Sequence, residues 1–142
     1  MSFTVLIWDD EIYRRGPTNI GLSALRLVVR EHADDWRSDL KVNQPVAVLL
    51  DADMGPAHLR GWQVCRSLRR EAPDLPVVCI SRNRVARAVM AREGAELLDK
   101  EGISRFVTRL DGELARSCSD GQSGNLRHLI GRIIAEMASA SN

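Results

Sequence analysis

Val46-Ala47-Val48-Leu49-Leu50 runs without interruption into Asp51-Ala52-Asp53. An unbroken apolar run that halts on carboxylates reads as a strand covered on both faces, with its C-terminal end at a polar rim. The same pattern recurs outward from it. Phe3 to Trp8 (FTVLIW) stops at Asp9-Asp10-Glu11, Pro76 to Ile80 (PVVCI) stops at Ser81-Arg82-Asn83, and the shorter Ala95 to Leu98 (AELL) stops at Asp99-Lys100. Helical patterns lie between these runs. Leu22, Leu25, Val28, Val29 and Trp36 fall near one stripe, opened by Pro17 and a cap at Thr18 or Asn19. Trp62, Cys65 and Leu68 make a second stripe. Val85, Val89 and Met90 make a third, closed by Gly94, and Ser104 caps a fourth carrying Val107, Leu110 and Leu114. Strands alternating with helices predict an α/β, doubly wound parallel sheet of four to five strands. The stretch from Asp34 to Gln44 is where this reading is weakest. A fifth strand has to be sought there, and Leu40-Lys41-Val42 offers only a very short one.

The rest of the chain bounds the class. Its 142 residues make one domain with a core of its own, and 44% hydrophobic with 27% charged residues is globular composition. Lys and Arg number 20 against 19 Asp and Glu, so net charge gives no pull toward nucleic acid. No apolar run is long enough to span a bilayer, and the N-terminus does not read as a secretory signal. Cys65 and Cys79 sit in apolar runs and Cys118 stands apart, so a reduced, cytoplasmic protein without structural zinc is expected. Trp8 and Trp62 read as core residues. His32, His58 and His128 are isolated along the chain and read as surface or packing residues, with His58 in the loop beside Asp51. Arg82, Arg84, Arg87 and Arg92 read as the wet side of a helix. Ser117 to Gly124 is polar and flexible, and the last helix carries Leu126, Leu129, Ile130, Ile133, Ile134 and Met137 on one stripe. That stripe either packs back on the domain or makes a homodimer or partner contact.

Asp9, Asp10, Asp51, Ser81 and Lys100 each follow an apolar run. In an open parallel sheet those ends form one rim, where ligands bind. Three carboxylates suit a hard divalent cation, and one carboxylate can attack phosphorus. A lysine neutralises phosphoryl oxygens and a hydroxyl donates a hydrogen bond to them. The ordered set Trp8-Asp9-Asp10-Glu11, Leu49-Leu50-Asp51-Ala52-Asp53-Met54, Cys79-Ile80-Ser81 and Gly94-Ala95-Glu96-Leu97-Leu98-Asp99-Lys100 resembles the receiver domain of two-component response regulators. The resemblance covers residues 1–116, followed by a linker at 117–124 and an extra C-terminal helix at 125–142.

The resemblance implies a flavodoxin-like fold and Asp51 as phosphoacceptor. It implies Mg²⁺ held by Asp10 directly, Asp9 through water, Asp51, and the backbone carbonyl of Asp53. Ser81 is then the switch hydroxyl and Lys100 the phosphoryl-binding lysine. It also implies a histidine kinase or phosphotransfer protein as donor, and an output surface near the fourth helix, fifth strand and fifth helix. Too little chain follows for a DNA-binding domain, so a downstream protein partner is expected, with no membrane and no direct DNA contact.

Four features depart from the family pattern. Arg82 stands where a small residue is usual, and Glu101 stands where proline is usual. Leu97 stands where an aromatic switch residue is usual, and the loop from Met54 to Gly61 is lengthened. The second βα unit also reads as compressed. Arg82 either folds inward on Asp51 or Asp10, or outward beside Arg84 and Arg87. These departures favour an alternative, a pseudo-receiver that binds proteins without phosphorylation. A third reading is a haloacid dehalogenase-type phosphohydrolase, since Asp51-Ala52-Asp53 imitates its DxD motif. It lacks a good later acidic residue: Asp111 lies in an amphipathic helix.

Overall fold

The computed structural model describes residues 2–16, 21–120 and 125–140, with the backbone alone at 118–120. The expected caps at Thr18 and Asn19 and the side chain of Cys118 lie outside the described residues. The elements are β1 (Phe3–Trp8), α1 (Asp10–Arg15), β2 (Leu25–Arg30), α2 (Trp36–Asn43), β3 (Ala47–Leu50), α3 (Gly61–Glu71), β4 (Val77–Cys79), α4 (Arg84–Arg92), β5 (Glu96–Leu97), a 3-10 turn (Lys100–Gly102), α5 (Ile103–Asp120) and α6 (Leu126–Ala140). One five-stranded sheet has the order β2-β1-β3-β4-β5, with every pairing parallel. This is the doubly wound, flavodoxin-like architecture that the sequence predicted.

Alternation along the strands divides the core in two. Val5, Ile7, Leu25, Val29, Ala47, Leu49 and Val78 face Ile12 of α1, Phe106, Leu110 and Leu114 of α5, and Ile130 and Ile133 of α6. Leu6, Trp8, Val48, Leu50 and Cys79 face Trp36 of α2, Val64, Cys65 and Leu68 of α3, and Met90 of α4. Cys65 and Cys79 are buried free thiols, and burial pushes the Cys65 thiol up to about 11, as expected for packing residues. Trp8 is fully buried and donates Nε1–H to Asp39 Oδ2 at 3.0 Å, while Trp62 is only partly buried beside Arg66.

The stretch before Val46 corrects the sequence reading twice. Leu25, Val28 and Val29 belong to strand β2, and Asp34 to Gln44 holds helix α2 instead of a strand. β2 is an edge strand, with Arg26 and Arg30 exposed and Leu25 and Val29 buried, and its apolar spacing also fits a helix. α2 buries only Trp36, so it has no apolar stripe to betray it. The short unit is the first, since α1 spans just Asp10–Arg15. In α4, Val85 is 74% exposed and Met90 carries the packing.

The C-terminal region also differs from expectation. α5 continues through Ser117 to Asp120, where a linker was predicted, and Ser104 lies inside it after the 3-10 turn. α6 packs against α5 and β5, and Ile130, Ile133 and Met137 are buried in the domain core. Each such side chain contributes about 1.5–3 kcal/mol relative to exposure. The apolar stripe is thus occupied within the chain and is not a free dimer face. Among the described residues no helix is long and apolar enough to cross a membrane.

Candidate functional site

Parallel strands carry their C-terminal ends to one rim, and the polar residues that follow β1, β3, β4 and β5 meet there. Asp9 closes β1 and caps α1, its Oδ1 accepting the Ile12 N–H at 3.0 Å. Its carboxylate is wholly buried, and Oδ2 has no hydrogen bond. Oδ2 nevertheless stands 2.9 Å from Lys100 Nζ, in an ion pair. Asp51 follows β3 directly, 7% exposed, and its Oδ1 accepts the Ala52 N–H at 2.9 Å. Asp10 opens α1 and is partly exposed, with Arg14 3.6 Å away. One oxygen each from Asp9, Asp10 and Asp51 lies within 4.8 Å of the others.

Lys100 sits in the 3-10 turn with its side chain 7% exposed, 2.9 Å from Asp9, 3.4 Å from Glu11 and 3.5 Å from Asp51. Burial acts to lower its pKa, but the close contact with Asp9 and the charges of Asp51, Asp9 and Glu11 outweigh it and the net direction is up. The Asp51 carboxyl is shifted the other way from the usual salt-bridge case. Burial, then the charge of Asp9, raise it more than Lys100 and the Ala52 N–H lower it. Two buried carboxylates sharing one ammonium leave surplus negative charge. That surplus, the all-oxygen donor set and the unbonded Asp9 oxygen fit a hard cation such as Mg²⁺.

Two further site residues have partners of their own. The Asp53 carboxylate is exposed and turned to the Gly55 N–H and Arg60 Nη1. Ser81 is buried at the end of β4, but its Oγ accepts the Asn83 N–H at 3.1 Å, and α4 is capped by Asn83 instead of Ser81. Gly61 begins α3 hard against the phosphoacceptor candidate: a Cβ there would lie 2.2 Å from the Asp51 carbonyl oxygen. That contact explains a glycine at this position.

Arg82 takes neither of the two expected courses. It lies across the rim, with Nη1 3.2 Å from Glu11 and Nη2 3.3 Å from Glu101, and remains 57% exposed. Arg87 likewise turns in, donating to the Ser81 and Leu98 carbonyls. Ser81, Arg82, Arg84, Arg87, Asp99, Lys100 and Glu101 line a cavity of about 220 Å³ beside the acidic cluster.

Sequence reading missed Glu11 and the Arg82–Glu11–Glu101 bridge, because an acidic residue in a first helical turn carries no signal of its partner. It also missed that His32 and His58 meet, their ring centroids 4.2 Å apart. Asp111 is buried too, but at the other end of the sheet. It accepts the N–H groups of Ser23, Ala24 and Leu25 at the start of β2, so it has no part in the rim.

Comparison with solved structures gives a consistent answer. The receiver domain of NtrX from Brucella abortus is 20% identical, with 77% of this chain and 95% of that one covered and a TM-score of 0.57. The signal receiver domain of the DNA-binding response regulator merR from Colwellia psychrerythraea 34H is 14% identical, covering 80% and 99%, at 0.61. The fold is that of a receiver domain. A CheY-like receiver protein from Methanospirillum hungatei JF-1 shares this fold at 13% identity, covering 80% and 99%, with a TM-score of 0.60. No protein-family model and no curated protein matches the chain. In the receiver fold the acidic rim of this chain lies where β1 and β3, neighbours in the sheet, bring Asp9 and Asp51 side by side.

Proposed function

We propose that the chain is a cytoplasmic phosphoacceptor signalling module, a receiver in which Asp51 takes a phosphoryl group from a histidine kinase or phosphotransfer protein. The observation that carries this reading is the convergence of Asp9, Asp10, Asp51 and the buried Lys100 ammonium at one rim. Asp51 in its ionised form attacks phosphorus. The new P–O bond gives an acyl phosphate, and the P–N bond to the donor imidazole breaks with its electron pair leaving on nitrogen. Lys100 stands within reach of Asp51 and offsets charge on the incoming phosphoryl oxygens. Asp9, Asp10, Asp51 and the Asp53 carbonyl would hold Mg²⁺, which when bound supplies positive charge to those oxygens. The Ser81 hydroxyl, whose oxygen accepts the Asn83 N–H, keeps its own proton to donate to the product phosphoryl group. Output is through contact with a downstream protein.

The Arg82 bridge over Glu11 and Glu101 supports a second reading, a pseudo-receiver that holds its partner without phosphorylation. The phosphohydrolase reading loses its remaining acidic candidate, because Asp111 is committed to three backbone N–H groups away from the rim. The deciding experiment is intact-mass measurement after acetyl phosphate or beryllofluoride treatment with Mg²⁺. A single adduct absent from Asp51→Asn is the expected result. No adduct on wild type favours the pseudo-receiver.

A further inference from the structure

Two loops at the rim carry a cluster that the acidic site does not use. His32 and Asp34 lie between β2 and α2, and His58 lies between β3 and α3. β1 separates β2 from β3 in the sheet, so these loops are brought together only above it. The imidazoles of His32 and His58 stack at 4.2 Å between centroids and 9° between planes. Asp34 Oδ2 lies 2.6 Å from His58 Nδ1 and 3.6 Å from His32 Nδ1, which accepts the Asp34 N–H at 3.3 Å and would exchange that bond for a metal. The other carboxylate oxygen, Oδ1, is fixed by the Leu59 N–H at 2.9 Å.

We infer that His32, Asp34 and His58 form a binding site for a divalent transition-metal ion of the Zn²⁺ class, distinct from the acidic Mg²⁺ pocket. One ligand atom from each residue already lies within 4.8 Å of the others. Ligands about 2.0–2.1 Å from a tetrahedral Zn²⁺ stand roughly 3.4 Å apart, so His32 and Asp34 are already at that spacing, while the 2.6 Å His58–Asp34 pair has to open to admit the ion. Two nitrogens and one carboxylate oxygen select a borderline ion over Mg²⁺, which favours oxygen alone. Each of the three side chains is about one-third exposed, at 31%, 34% and 31%, which leaves a path and a fourth position for water. The Leu59 N–H is the outer hydrogen bond that holds a ligating carboxylate in orientation.

The supporting loop is built to aim His58. Gly55 takes a left-handed φ of 115°, and its carbonyl accepts the His58 N–H at 3.2 Å. A Cβ on Gly55 would stand 3.3 Å from His58 Cδ2. Occupancy therefore ties the loop that follows Asp51 to the loop that precedes α2.

The test is Zn²⁺ titration of the full, tag-free chain against a chromophoric chelator, with excess Mg²⁺ and a non-chelating reductant. One equivalent is expected to bind. His32→Ala and His58→Ala weaken it by at least the 10–100-fold that loss of an outer-shell partner costs. The titration is unchanged in Asp10→Asn and in Cys118→Ser. A second measurement uses wild type alone: the ring-proton resonances of His32 and His58 shift together on adding Zn²⁺, and those of His128 do not. Equal affinity in the histidine variants, loss of binding in Asp10→Asn or Cys118→Ser, or unmoved His32 and His58 resonances overturns the assignment.

Discussion

Asp111 and Asp51 are both aspartates shielded from water, and they sit at opposite ends of the same sheet. At the N-terminal end Asp111 reaches from α5 to collect the N–H groups of Ser23, Ala24 and Leu25 and the Ser23 hydroxyl. Burial raises its carboxyl, but those donors outweigh it and hold it below the usual range. At the C-terminal end Asp51 has one backbone donor and a share of Lys100, with buried Asp9 beside it, and its carboxyl is raised. Full satisfaction marks a structural carboxylate. Incomplete satisfaction, in a place the fold could have made apolar, is what the proposed phosphoacceptor role of Asp51 calls for.

The largest expected effect breaks the structural half. Asp111→Ala leaves three backbone donors without their acceptor and costs about 3–5 kcal/mol in urea unfolding. Because folding depresses this carboxyl, its stabilisation is present above the ordinary Asp range and is lost as pH falls through the folded-state value. The gap between wild type and Asp111→Asn therefore narrows in acid. Constancy of that gap with pH would remove the charge from the account.

Lys100→Met strips the ammonium from fully buried Asp9 and is expected to cost about 2–3 kcal/mol without metal. Mg²⁺ restores part of the loss, since the cation takes over the same neutralising role. Stability of Lys100→Met that ignores Mg²⁺ would place the ion elsewhere.

Asp51→Asn has the opposite sign to Asp111→Asn. Folding raises the Asp51 carboxyl, so ionisation weakens the fold as pH rises through the folded-state value. The amide variant should melt a few degrees above wild type at neutral pH and level with it below the ordinary carboxylate range. A lower melting temperature at neutral pH would mean that Lys100 gives Asp51 more than burial and Asp9 take away.

The smallest effect on stability is expected from Arg82→Ala, since both its partners are well exposed. Its readout is chemical: several-fold faster labelling of Asp51 by acetyl phosphate once the bridge over the rim is gone. Equal labelling rates would make the bridge a surface feature only.

Four of the strands and the rim positions of Asp9, Asp51, Ser81 and Lys100 were legible in the sequence because their signals are local. A continuous apolar run followed by a carboxylate states both burial on two faces and a polar terminus, and FTVLIW-Asp9 and VAVLL-Asp51 each do so within a few residues. What failed was the region where the deciding partner is remote. β2 begins at Leu25, where the N–H is held by Asp111, 86 residues away, and its apolar spacing admits a helix equally well. α2 is held by Trp36 in the core, by Trp8 donating to Asp39 and by Arg37 on Glu71, none of which leaves a periodic trace.

The sequence by itself determined the layered α/β class, the strand ends that carry Asp9, Asp51, Ser81 and Lys100, and an amphipathic last helix. Only the tertiary structure decided what those residues meet. It placed Lys100 between Asp9 and Asp51, laid Arg82 across Glu11 and Glu101, stacked His32 on His58, and folded α6 over β5 and α5. That last contact covers part of the face the resemblance assigned to output. The reason is physical: burial follows from the composition of a short segment, whereas a charge pair depends on where two rotatable side chains are brought by elements far apart in the chain.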